Sequence, residues 1–385
     1  MEQDKFIHFG CWNNTNIKIK DGKEKPLGCI VPVMILLNKY LIETEKKPNF
    51  MVIAGDNYYP NKHKTKDLAG SETKIKIVYP NKIAEGINLL PNSLPIHMIL
   101  GNHDLETNGE NPSLFINDDT TPENKDCAII QIEREIIKEK SNIDYKLFDS
   151  KYLKNNTLLL MIDTSMYTDD INKFMPCYEK FLKSRFATPE GLIDFQNAKI
   201  YEAIRRYPGR INNIIIIGHH PISGYKFKEL KKGKKGKPDT PAHIELMDDI
   251  IRFNSVLKEI YSIAGGNRVN YYYLCADLHM YQEGNIDLNI GDNTMNIKQY
   301  IVGTGGTELD PEIPDGMERP TKPDITYTMN RVEYDCGFLE CKIEEAGIIF
   351  TPILLNNHMF GGRKSKKNRK ARKSKKNRKS KKSKK

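Results

Sequence analysis

The sequence predicts an α/β fold, on two observations. Short apolar runs of strand length recur along the chain, each stopping at a glycine, an alanine or a polar residue, and helix-like stretches separate them. Six runs carry the prediction: Phe6–Phe9 before Gly10, Phe50–Ala54 before Gly55, Ile96–Leu100 before Gly101, Leu158–Ile162 before Asp163, Ile214–Ile217 before Gly218 and Tyr271–Cys275 before Ala276. Each is apolar on both faces, as the strands of a doubly covered sheet are. Helices are predicted over Val31–Glu45, Ile130–Glu139, Asp194–Arg206 and Ile244–Ile263. Three further strands, near Lys298–Val302, Phe338–Ile343 and Ile348–Leu354, follow without long helices between them. The β-α-β units thus give way to a β-rich C-terminal part.

The chain has 385 residues, of which 38% are hydrophobic, enough for a real core. Its net charge of +10 is unevenly spread: Arg363 to Lys385 holds 16 Lys and Arg and no acid, leaving a body of net −6. A folded domain over residues 1–358 and a disordered Lys/Arg-rich tail over 363–385 are expected, because the tail has no apolar residue beyond Ala371 to bury. Clustered cations of this kind serve as a nuclear or nucleolar address, or bind the phosphate backbone of nucleic acid. The Gly/Pro/Lys-rich insertion Lys228–Pro241 reads as a solvated surface loop.

Seven scattered cysteines with no C-x-x-C pair predict no disulfide framework and a reducing compartment. The N-terminus carries acids where a signal peptide needs a basic region, and the longest apolar stretch, Cys29–Leu37, is too short to span a bilayer. An intracellular chain without membrane contact is expected.

The reactive residues cluster just beyond predicted strand ends, the edge where open α/β sheets bind ligands. In AGDNYY, the Asp56 carboxylate can bridge two cations, and the Tyr59 phenol can reach one of them. In GNHD, Asn102 offers an amide oxygen, His103 can face a substrate, and Asp104 can orient His103 through a hydrogen bond. In GHHP, His219 is a good ligand as neutral imidazole, and His220 should point to the opposite side. In CADLH, Asp277 and His279 are two apart and share a side if extended, which suits one ligand to each of two ions. Asp, Asn, His, Asp and His from four strand ends form the donor mixture of a two-metal hydrolytic site.

These blocks, in this order, resemble the calcineurin-like metallophosphoesterases, and among them the purple (tartrate-resistant) acid phosphatases. GCWN at Gly10–Asn13 stands for the usual GDWG, GDNYY at Gly55–Tyr59 for GDNFY, GHHP at Gly218–Pro221 for GHxP and ADLH at Ala276–His279 for GHxH; GNHD is unchanged. LLMIDT at Leu159–Thr164 and IVGTGG at Ile301–Gly306 resemble connecting segments of that branch, so the likeness spans Phe6 to Leu354. The resemblance implies a four-layer α/β/β/α sandwich with its site at the C-terminal ends of the strands. It implies two metal ions (iron, zinc or manganese): Asp56 bridging, Tyr59, His279 and position 11 on the first, Asn102, His219 and position 277 on the second. His103 would assist at the phosphoryl group.

Two positions depart from the pattern. Cys11 replaces an aspartate and Asp277 a histidine; both residue types still bind metals, with altered preference. The implied activity is hydrolysis of a phosphomonoester. The alternatives are a degenerate phosphatase fold that binds nucleic acid or protein through its tail, and a phosphodiesterase or nuclease.

Overall fold

The computed structural model describes residues 4–20, 23–59, 61–66, 72–77, 80–106, 127–183, 186–231 and 240–358. The basic tail and the tip of the Lys228–Pro241 insertion lie outside them. Two large sheets dominate. The first has six strands in the order Gly347–Leu354, Gly337–Glu344, Asp4–Phe9, Phe50–Ala54, Ile96–Ile99, Ile143–Tyr145. The second has seven, in the order Ile325–Glu333, Tyr281–Ile290, Asn293–Val302, Asn270–Cys275, Asn213–Ile217, Thr157–Ile162, Phe148–Leu153. The centre of each is parallel: Phe6 pairs with Phe50 and Met51 with Ile96 in one, Leu158 with Ile214 and Tyr271 with Ile297 in the other.

Side-chain alternation along the second sheet defines the layers. Leu158, Leu160, Ile162, Ile214, Ile216, Tyr271 and Tyr273 cluster with Phe174, Leu192, Ile200, Val256 and Leu257 from the helices Ile171–Phe181, Pro189–Arg205 and Phe253–Ala264. Leu159, Met161, Ile215, Ile217, Tyr272 and Leu274 cluster instead with the first sheet. That sheet also gathers Val33, Leu37, Ile83, Ile87 and Ile132 from the helices Ile30–Glu43, Pro80–Leu89 and Ala128–Glu139. The result is helix, sheet, sheet, helix. All six apolar runs form strands.

The differences from expectation have physical reasons. Helix Pro189–Arg205 begins five residues before the predicted Asp194, because Thr188 caps it, its hydroxyl accepting from Gly191 N at 3.2 Å, with proline in the first turn. The predicted helix Ile244–Ile263 is split. His243–Met247 is a strand paired antiparallel with Gly224–Lys228, and the helix starts only at Phe253. The helices Pro80–Leu89 and Ile171–Phe181 were not predicted.

The cysteine expectation is overturned. Cys29 pairs with Cys336 and Cys127 with Cys177, leaving Cys11, Cys275 and Cys341 free and buried. Spacing missed both bonds because each joins segments that only the fold brings together, 307 and 50 residues apart. No helix among the described residues is long and apolar enough to cross a membrane.

Candidate metal centre

Four ligand candidates sit at the same offset, two residues past a strand end: Cys11 after Phe9, Asp56 after Ala54, His219 after Ile217 and Asp277 after Cys275. Three of them share one unusual backbone conformation, with φ of 52° at Cys11, 52° at Asp56 and 54° at Asp277. A left-handed residue there turns the chain sharply off the sheet. It costs roughly 1–3 kcal/mol for a non-glycine residue and persists only where the surroundings impose it. Gly101 is required by closeness: a Cβ there would lie 2.3 Å from Asp56 N and 2.5 Å from Asp56 Oδ1.

Asp56 lies at the centre, 1% exposed. Its Oδ2 accepts from the Tyr59 hydroxyl at 2.9 Å and lies 3.8 Å from Cys11 Sγ. Tyr59 Oη is in turn 3.2 Å from His279 Nε2. Asp56 Oδ1 accepts from His103 N at 3.2 Å and faces His219 Nε2 at 3.3 Å. His219 Nε2 also lies 3.1 Å from Asn102 Oδ1 and 3.6 Å from Asp277 Oδ1. The donors therefore divide into two groups, one on each oxygen of Asp56. Cys11, Asp56 and His279 have ligand atoms within 4.8 Å of one another, as do His219, His220 and Asp277.

The donor set fits metal ions. The His219 Nδ1–H donates to Ala54 O at 2.7 Å, which fixes the ring and turns Nε2 toward the carboxylates. Burial opposes charge on His219, but Asp56 and Asp277 outweigh it and raise its pKa to about 10. Burial likewise opposes ionisation of Asp56 and Asp277, yet the neighbouring His219 keeps both below the usual carboxylate range. The proton on His219 thus compensates buried negative charge, the place an ion would take.

Burial, then Asp56 and Asp277, push the Cys11 thiol up. Tyr59 is raised by burial and by Asp56. His279 is lowered by burial, against the pull of Asp310, and so stays neutral and able to ligate.

Two residues differ from their expected roles. The Asp104 carboxylate accepts from Gly101 N at 2.7 Å, Asn57 N at 2.9 Å and Asn57 Nδ2 at 2.8 Å, tying together the two loops that carry Asp56 and Asn102. The carboxylate beside the His103 ring is that of Glu106, 3.1 Å from Nδ1, a residue sequence reasoning did not single out. His220 does not point away. Its ring stands edge-on to His219, with Nδ1 3.0 Å from Thr164 Oγ1, within reach of the second group. The Thr164 hydroxyl, accepting from both His219 N and His220 N at 3.0 Å, arranges the pair.

Trp12 donates from Nε1 to Asn57 Oδ1 at 3.0 Å and so braces the Asp56 loop. A cavity of about 430 Å³ opens beside Asn102, His220 and Asp277 and is walled by Phe174 and Asp249.

A family model described as calcineurin-like phosphoesterase matches residues 5–240. Solved structures similar to the chain include one titled "GAP50 the anchor in the inner membrane complex of Plasmodium". It is 13% identical, with a TM-score of 0.46 over 92% of this chain and 85% of that one. A second crystal structure is 7% identical, with a TM-score of 0.36 over 92% of this chain and 99% of that one. No curated protein sequence matches. With the family model spanning well over half its length, the chain belongs to the calcineurin-like phosphoesterases.

Proposed function

We propose that the protein is a metal-dependent phosphatase that hydrolyses a phosphomonoester at a two-metal site. One observation carries this reading: the two oxygens of Asp56 face two separate donor groups, Tyr59 and Cys11 on Oδ2, His219 on Oδ1. Tyr59, His279 and Cys11 would hold one ion, Asn102, His219 and Asp277 the other, with Asp56 shared and His220 a further donor on the second side. Bound ions supply Lewis acidity and an activated hydroxide. His103 is 22% exposed at its side chain, and Glu106 Oε1 lies 3.1 Å from its Nδ1. His103 Nε2 then protonates the departing alcohol.

Metal analysis and turnover test this together. The full chain reconstituted with zinc, iron or manganese should hold about two ions. Asp56→Asn should lose metal and activity together, whereas His103→Ala should keep both ions while turnover falls about 10²-fold. Wild-type metal content and turnover in Asp56→Asn would refute the assignment. A second reading, a fold that has lost its chemistry and binds a polyanion through its tail, draws on the Cys11 thiol, which its surroundings hold protonated. Failure to take up any metal after reconstitution would favour it. A phosphodiesterase or nuclease would instead show turnover on diesters exceeding that on monoesters.

A further inference from the structure

His279 lies in the turn between two strands, four residues beyond the end of Asn270–Cys275 and two before the start of Tyr281–Ile290. Its backbone is clamped from outside by Asp310: His279 N donates to Asp310 Oδ2 at 2.8 Å, and Asp310 N donates back to His279 O at 2.9 Å. The other carboxylate oxygen, Asp310 Oδ1, lies 2.9 Å from Lys226 Nζ. The side chains of Lys226 and Asp310 are 23% and 9% exposed, so water screens this pair less than a surface ion pair.

Lys226 belongs to Gly224–Lys228, the hairpin strand that leads into the Lys-rich insertion. Two fully buried glutamines bolt this segment to the second sheet. Gln282 Oε1 accepts from Tyr225 N at 3.2 Å, and Gln299 Oε1 accepts from Ile222 N at 2.9 Å. A continuous line of contacts therefore runs from the sheet through the hairpin, Lys226, Asp310 and His279 to Tyr59 and Asp56.

We propose that Lys226 is a positioning residue for His279, acting through Asp310, so that the hairpin as well as the strand end sets the geometry of the first donor group. This rests on the reading of His279 as a metal ligand. Removing the ammonium would leave the Asp310 carboxylate nearly buried and uncompensated. It would then turn toward another donor and carry the His279 backbone with it.

The test uses the full chain, with Lys226→Met to keep the aliphatic stem and remove the charge, and Lys226→Arg to restore the charge. The first readout is stepwise zinc affinity, measured by chelator competition. Lys226→Met should weaken the first-group ion about tenfold, the usual loss for an outer partner of a ligand, and leave the other ion within about twofold. Lys226→Arg should recover most of the loss. The second readout is the His279 ring resonance of the metal-free, histidine-labelled protein, identified by its absence in His279→Gln. It should move in Lys226→Met and return in Lys226→Arg. Equal weakening of both ions, or an unmoved resonance, overturns the proposal. If the wild type takes up no zinc, the proposed function falls and the resonance alone decides the positioning role.

Discussion

Cys11 stands where the family resemblance expects an aspartate, and its surroundings decide what it can bind. It is fully buried, 3.8 Å from Asp56 Oδ2, and burial and the two carboxylates hold it as a thiol. An ion bound there must expel that proton. Cys11→Asp would place a third carboxylate beside Asp56 and Asp277. It should raise manganese affinity by about tenfold, since hard ions prefer oxygen donors, and lower the thermal midpoint of the metal-free protein; a manganese titration with and without melting curves checks both. Asp163 gives a pH prediction. Burial raises its carboxyl from 3.8 to about 6, against hydrogen bonds from Tyr178 and Ser165. The native state therefore keeps the proton to a higher pH than the unfolded chain. The stability this gives is fully present below about pH 4 and lost as pH rises through about 6, on the order of 3 kcal/mol in all. Urea midpoints between pH 4 and 7 should carry that slope beside the one from Asp104, which burial raises to about 7, and Asp163→Asn should make it shallower. At this scale the sequence displayed the ligand types and their strand-end positions. It could not display the shared left-handed turn at Cys11, Asp56 and Asp277, which follows from how loops distant in the chain press on one another; Glu106, three residues past His103 in the same turn, was within reach of local spacing but was not singled out.

Elements were readable where their own side chains decide them. Phe50–Ala54 and Asn213–Ile217 are buried throughout and could only be inner strands. His243–Met247 misled because its partner, Gly224–Lys228, lies across an insertion, and a distant partner overrides a local helical pattern. Disulfides belong to the same class of hidden long-range fact. Cys127–Cys177 joins the start of helix Ala128–Glu139 to helix Ile171–Phe181, and both cysteines lie in the core cluster of the second sheet. It lies close to the His103 turn, since Ala128 N donates to Glu106 O at 2.9 Å. Closing a loop across a separation of 50 residues is worth about 4 kcal/mol by loop entropy. The double variant Cys127→Ser, Cys177→Ser should therefore unfold at a clearly lower denaturant concentration, while thiol titration of the denatured but unreduced wild type should find three free cysteines. Disulfides persist in oxidising surroundings, which runs against the reducing compartment expected from cysteine spacing.

The whole molecule separates a net-negative body from a basic tail. Deleting Arg363–Lys385 changes the net charge from +10 to −6. Binding to DNA or RNA should largely vanish with its salt dependence, and turnover of a small phosphate ester should stay nearly unchanged; both are measured on truncated and full chains across a salt series. If turnover collapsed, the tail would be reaching the metal centre. The body has its own large-scale property. Strand Asp4–Phe9 lies inside the first sheet, between Phe50–Ala54 and Gly337–Glu344, so one of its two neighbours is made only after every strand of the second sheet. The second sheet draws only on Phe148 to Glu333 and can close earlier. At 5–20 residues per second on a ribosome, the first strand waits roughly 20–60 s with one backbone edge unpaired. During synthesis that edge, Asp4 to Phe9, is open to capture by another nascent chain, and a chaperone that shields it until Gly337–Glu344 is made would raise the yield of native protein.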